Sequence, residues 1–199
     1  PNLMSADVVQ ILPASTDRLA GKNLNAVIDI FAEIKATGFS VCLFVANQWA
    51  TTTQRSEELL PYFKSASDKG LIPGEDFIFS SEANGGMYKA GLPKRVLRDL
   101  MTLSNLFIFP TREETFGLVI PEVSLSSGAY CVLNKSLQML PEITGYHALY
   151  VDFGSYHIAH SAVNPAKYTE DITRIILGRM RQNEAVMLRT YLRQQYNYD

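Results

Sequence analysis

At 199 residues, 47% of them hydrophobic, the chain is long enough for one domain, residues 1–199, with a sizeable core. Its formal net charge of -2 gives no global reason to expect nucleic acid as a partner. No apolar run approaches the ~18 residues a membrane-spanning helix needs; no secretory signal is recognisable, and Pro1 in place of Met points to a trimmed start.

"DVVQILPAS" reads as a buried strand. In "NLNAVIDIFAEIKATG", Leu24, Val27, Ile28, Phe31 and Ile34 recur at helical spacing, and Gly38 is the stop. "FSVCLFVAN" is a second strand, continuously apolar as strands covered on both faces tend to be. "SEELLPYFKSASDKG" is helical, starting or kinking at Pro61. "DFIFSS" is a third strand, "PKRVLRDLMTLS" a helix and "NLFIFP" a fourth strand. "GLVIPEVSLSSG" is a helix closed by Gly128, "AYCVLN" a fifth strand and "HALYVDF" a sixth. "YTEDITRIILGRMRQNEAVMLRTYLRQQY" is one long helix or two, with Gly178 as the candidate break. This alternation predicts an α/β, Rossmann-like three-layer sandwich on a parallel six-stranded sheet. Cys42 and Cys131 both fall inside strand-like runs, which predicts buried thiols in a reducing, cytoplasmic compartment.

Such a sheet binds ligands beyond the carboxyl ends of its strands, where strand order reverses. Two loops there carry chemistry. "TDRLAGKN" follows the first strand and supplies Arg18 and Lys22, a planar fork and a mobile point charge suited to a diphosphate, or else two solvated loop cations. "TREETFG" follows the fourth. A helix beginning near Leu118 puts Pro121 in its first turn, where a missing N–H costs nothing. The amides of Phe116, Gly117, Leu118 and Val119 are then free to face an anion. Glu122, a little over one turn in, can reach a neutral polyol.

These residues resemble a known family. "ETFGLVIPE", Glu114 to Glu122, is similar to the E-x7-E motif of retaining glycosyltransferases of the glycosyl transferases group 1 family, which have the GT-B fold. The resemblance extends over nearly the whole chain. "DRLAGKN" resembles the family's Arg…Lys loop, and "VLRDLMTLSNLFIFPT" its lead into the motif. "EVSLSSGAYCVLN", "QMLPEITG" and "HALYVDFGS" resemble the segments that follow it. The resemblance implies the carboxy-terminal half of a GT-B hexosyltransferase, which takes a UDP-, GDP- or ADP-linked sugar as donor. Arg18 and Lys22 would hold its diphosphate, and Glu114, the candidate catalytic residue, its sugar hydroxyls. The amides of Phe116 to Val119 would contact sugar and phosphate, and Glu122 the ribose. Phe79, Ser80 and Ser81 would lie near the base. No cofactor and no metal are expected. The glycan or lipid-linked acceptor would belong to an amino-terminal half not encoded here, since the chain starts just before the first strand and ends at "LRQQYNYD", similar to the segment that recrosses to that half.

Three departures stand out: Asn23 where the family has Gly, Gly128-Ala-Tyr-Cys-Val in place of Gly-x-Pro-Val, and Ser and Leu among the usually small residues after Glu122. "HIAH", His157 and His160, lacks a third nearby ligand and reads as a surface pair. The arginines of the final helix could touch an anionic membrane at the inner face, although a solvated helix face is the simpler reading. Competing functions are a sugar-nucleotide epimerase of the same fold and a stand-alone nucleotide-binding or interaction module. A dinucleotide dehydrogenase is disfavoured because no G-x-G-x-x-G follows the first strand.

Overall fold

The structure is a computed structural model that describes residues 3–157, 164–182 and 184–196. Strands β1 (Val8–Ser15), β2 (Val41–Gln48) and β3 (Phe77–Phe79) pair in parallel, as do β4 (Leu106–Phe109), β5 (Tyr130–Asn134) and β6 (Leu149–Val151). The helices are α1 (Leu24–Ala36), α2 (Thr53–Glu57), α3 (Leu60–Asp68), α4 (Lys94–Met101), α5 (Val119–Ser126), α6 (Met139–Thr144), α7 (Pro165–Arg181) and α8 (Ala185–Gln195). Helix α1 packs against α3 and α7, while α5 packs against α4 and α8. The buried side chains of both sheets join in one hydrophobic cluster, with Phe31, Phe77, Phe79, Phe107 and Phe109 among the largest.

The expectation of one six-stranded sheet needs correction. The strands form two three-stranded parallel sheets, and β1 lies edge to edge with β4, so the strand order runs 3-2-1-4-5-6 across a seam. Side chains close that seam in place of a regular backbone ladder. The fully buried Gln10 acts as a stand-in peptide group: its Oε1 accepts from Ile108 N–H at 2.9 Å, and its Nε2 donates to the Ile108 carbonyl at 2.8 Å. Asn105 Oδ1 accepts from Val9 N–H at 2.9 Å, and Ser104 Oγ accepts from Ile11 N–H at 3.0 Å. A buried backbone group left unpaired is costly, so a seam of this width forms only with such substitutes. Strand order reverses at this seam, and the loops after β1 and β4 meet above it.

Other boundaries also differ from expectation. Pro61 starts α3, in whose first turn it sits, and does not kink a longer helix. Ser80 and Ser81 leave the third strand for a 3-10 turn. The carboxy-terminal segment is two helices, but α7 runs to Arg181 and α8 begins at Ala185, so Gly178 lies inside α7. Both cysteines are free and buried; burial pushes Cys42 up to about 11 and Cys131 up to about 12. Such thiols stay protonated and inert at neutral pH.

Candidate functional site

The loop after β1 runs through a short 3-10 turn, Thr16–Arg18, and reaches α1 through Asn23, whose φ of 55° is left-handed. That explains the departure from Gly: Asn is the side chain that best tolerates this region. The loop after β4 is tied to it, because Arg112 N–H donates to the Gly21 carbonyl at 2.8 Å. From beneath, the fully buried Asn134 at the end of β5 anchors the same loop. Its Nδ2 donates to the carbonyls of Thr111 (2.8 Å) and Gly154 (2.6 Å), and its Oδ1 accepts from Ser136 and Phe153 N–H.

This scaffold brings together residues 92 apart in sequence: Lys22 Nζ lies 2.6 Å from Glu114 Oε2. Both side chains are largely buried, 12% and 16% exposed, and the ammonium also stands 4.8 Å from the Phe109 ring centroid. Burial alone would raise the Glu114 pKa. The Lys22 hydrogen bond and charge, with the Thr115 and Gly117 amides, outweigh it and hold the carboxyl below the ordinary glutamate range. Glu114 is therefore a carboxylate at neutral pH, able to accept hydrogen bonds but with no proton to give. Arg18 is farther out, 3.6 Å from Glu113 Oε1, with both side chains more than half exposed. It keeps the freedom to turn toward an incoming anion.

Helix α5 begins at Val119 with Leu118 as its N-cap, and Pro121 and Glu122 lie in its first turns as expected. Gly117 has a φ of +72°, and a Cβ there would meet Ile120 Cδ1 at 3.2 Å, so glycine is required on both counts. The Thr115 N–H donates to Glu114 Oε1 at 2.9 Å, and the Gly117 amide adds to the pull that keeps this carboxyl ionised, so the carboxylate sits near the helix start as an internal anion. The amides of Phe116, Leu118 and Val119 have no hydrogen-bond partner among the described residues. Phe116 and Leu118 expose their side chains beside them, and Glu122 is also exposed.

The third group of expected residues lies inside the fold, at the end of β3. Phe79, Ser80 and Ser81 are fully buried. Ser80 Oγ donates to the Asn47 carbonyl at 3.0 Å; Asn47 Oδ1 accepts from Ser81 N–H and its Nδ2 donates to Ser81 Oγ. These serines brace the ends of β2 and β3. In the second departure, Gly128 closes α5 at φ +72° and Tyr130 N–H donates to the Asn105 carbonyl at 3.0 Å, a bond proline cannot make. In the third, Ser124 is buried against Cys131 Sγ at 3.3 Å.

His157 is exposed, and His160 lies outside the described residues. Among the described residues, no group of three or more His, Cys, Asp or Glu side chains is arranged to hold a metal ion, and no helix is long and apolar enough to cross a membrane. Gln10, Asn134, Arg112 and Glu113 were missed by motif reasoning. Asn134 carries a readable signal, a lone amide at the end of an otherwise apolar strand.

No family model and no curated protein matches the sequence. Solved structures do match. The C-terminal domain of a glycosyl transferase group 1 family protein, LpcC from Francisella tularensis, aligns at a TM-score of 0.65 and 14% identity, over 98% of this chain and 88% of that one. HepE from Anabaena, in complex with UDP, aligns at 0.67 and 15%, over 98% of this chain and 46% of that one. A UDP-forming α,α-trehalose-phosphate synthase from Burkholderia vietnamiensis aligns at 0.56 and 12%, over 98% and 46%. The chain thus spans nearly all of an isolated carboxy-terminal domain but under half of the two larger neighbours. Two parallel sheets meeting at a reversal of strand order, with neighbours of this kind, give it the fold of the carboxy-terminal half of GT-B glycosyltransferases.

Proposed function

We propose that this chain is the donor-binding half of a hexosyltransferase, which moves a sugar with retention from a nucleoside diphosphate to a glycan or lipid-linked acceptor. The observation that carries this reading is the Lys22–Glu114 pair, set at the start of α5 over the point where strand order reverses. HepE has been solved with UDP and with UDP-glucose, which supports a nucleotide sugar as the ligand of the shared fold.

In this reading the diphosphate enters between Arg18, Lys22 and the free amides of Phe116, Leu118 and Val119. It displaces Glu114 as the anion on the helix start. Lys22 turns from the carboxylate to the phosphates, and Glu114, already ionised and sheltered from water, accepts hydrogen bonds from the sugar hydroxyls. Glu122 takes the ribose. As the glycosidic bond breaks, charge builds on the leaving diphosphate, and fixed cations and amides stabilise it without reorganising. They take the place of a metal. The acceptor and the groups that activate it come from a second, facing half.

A thermal-shift panel of UDP, GDP and ADP sugars, with and without EDTA, tests the reading. Ligand at 100 times its Kd stabilises by about 2.7 kcal/mol, a clear rise in melting temperature for the matching base in both conditions. A rise that vanishes with EDTA contradicts the metal-free site, and no rise with any nucleotide sugar contradicts donor binding.

A further inference from the structure

We propose that Trp49 is the ring on which the nucleobase of the donor stacks; the proposal rests on the donor-binding reading above and extends it to base recognition. Trp49 is the sole tryptophan of the chain. It directly follows β2, at the carboxyl end of the sheet, and has a φ of +66°. Four non-glycine described residues have positive φ, and two of them are Asn, which tolerates it. A tryptophan does not.

Packing does not explain the strain, because Trp49 is 59% exposed and gains little from burial. Its neighbours impose the conformation. The Gln48 carbonyl accepts from Thr16 Oγ1 at 2.7 Å, and the fully buried Ala50 donates its N–H to the Lys89 carbonyl at 2.9 Å. The backbone is thus pinned on both sides of a residue whose large ring is left in solvent. Strain sustained in this way concentrates at ligand clamps.

The location fits a base. Thr16, which pins Gln48, lies two residues before Arg18, and Ser15 pairs with Gln48 across β1 and β2. Neighbouring strands are about 4.8 Å apart, so Trp49 stands one spacing from the β1 loop, and the β4 loop follows across the seam. That is within reach of a nucleoside whose diphosphate lies on Arg18 and Lys22. The Ala50–Lys89 bond also ties the loop after β3 to the residue beside Trp49, with Met87 exposed on that loop. Base contact therefore passes from the buried serines to the exposed ring that follows the neighbouring strand. Phosphates have cations, hydroxyls have carboxylates, and the remaining planar apolar part of the ligand has Trp49.

The test uses the intrinsic fluorescence of this lone tryptophan, excited where tyrosine does not absorb, with UDP, GDP, ADP and inorganic pyrophosphate as probes. Calorimetry runs in parallel. A nucleoside diphosphate that binds should quench the emission saturably, with the calorimetric Kd, while pyrophosphate should bind without quenching. Trp49→Gly removes the ring and suits the left-handed backbone. Its melting temperature should equal or exceed that of the wild type, while nucleoside diphosphate affinity falls about 5- to 140-fold and pyrophosphate affinity holds. Trp49→Phe should fall between. Nucleoside diphosphate binding with unchanged emission and equal affinity in Trp49→Gly would overturn the stacking role and leave the donor site standing. Binding of neither nucleoside diphosphates nor pyrophosphate to the wild type would overturn both.

Discussion

Replacing Gln10 with Met tests how much its side chain contributes to holding the two sheets together. Met keeps the length and apolar stem but can neither donate nor accept in the seam. The Ile108 N–H and carbonyl would then both be unpaired at a site with no solvent access. Each stranded group costs about 1–3 kcal/mol, so the pair costs about 2–6. Removing the buried amide of Gln10 itself offsets part of this, which leaves about 2–4 kcal/mol. Against a total stability of roughly 5–15 kcal/mol for a domain, that is a large fraction. At about 2–4 °C per kcal/mol for a chain of this size, the melting temperature should fall by roughly 4–16 °C. Urea unfolding gives the free energy, and native-state hydrogen exchange should show the Ile108 amide losing protection ahead of those between β4 and β5. A loss under about 1 kcal/mol with Ile108 protection unchanged would refute the seam argument.

Breaking the buried pair should show in the titration of its partner. In Lys22→Met, burial of Glu114 is no longer offset, so its pKa, followed by carbon NMR of the carboxyl, should rise. A depressed carboxyl contributes stability that is present above its unfolded pKa and lost as pH falls through the folded one. The variant should therefore begin acid unfolding at a higher pH than the wild type, and an unshifted Glu114 would show that Lys22 does not set it. Glu122→Ala removes an exposed side chain and should leave melting unchanged while costing about 1.5–3 kcal/mol in affinity for ribose-bearing diphosphates. Equal calorimetric affinity would remove Glu122 from the site. Cys42 and Cys131, buried with pKa values of about 11 and 12, should react with a thiol reagent only as fast as the chain unfolds, and rapid stoichiometric labelling would contradict their burial.

Much of the architecture is legible because period and length decide it. The apolar runs around Val8–Ser15, Val41–Gln48 and Leu106–Phe109 are too short for buried helices, and each is followed by a helix-spaced segment. The seam is not legible in this way. Nothing local distinguishes a Gln10 that bridges two strands from one that faces solvent, since its partner Ile108 is 98 residues away. The break between α7 and α8 was sought at Gly178 because glycine weakens helices. There a Cβ would meet only open space, and the buried Ile172 and Ile176 just before it anchor the helix that runs on to Arg181. The two site loops could be named from their residue types and motif. Their joining through the Gly21 carbonyl, the engagement of Glu114 by Lys22, and the burial of Ser80 and Ser81 all depend on contacts between distant segments. A buried amide at the end of an apolar strand, as at Asn134, is the one local sign of such a contact.

The most direct test of the central claim is calorimetric titration of nucleoside diphosphate and bare nucleoside into the wild type and into Arg18→Ala and Lys22→Ala, with and without EDTA, beside a radiolabelled donor assay. A site that grips the diphosphate through Arg18, Lys22 and the start of α5 predicts EDTA-resistant binding that both substitutions weaken. Each should cost about 1.5–3 kcal/mol with the diphosphate and leave the weak affinity for the nucleoside unchanged. No sugar transfer should occur with these 199 residues alone. Equal affinity for nucleoside diphosphate in wild type and both variants would contradict the assignment of the diphosphate site, and transfer to an acceptor by this chain alone would contradict its reading as the donor half.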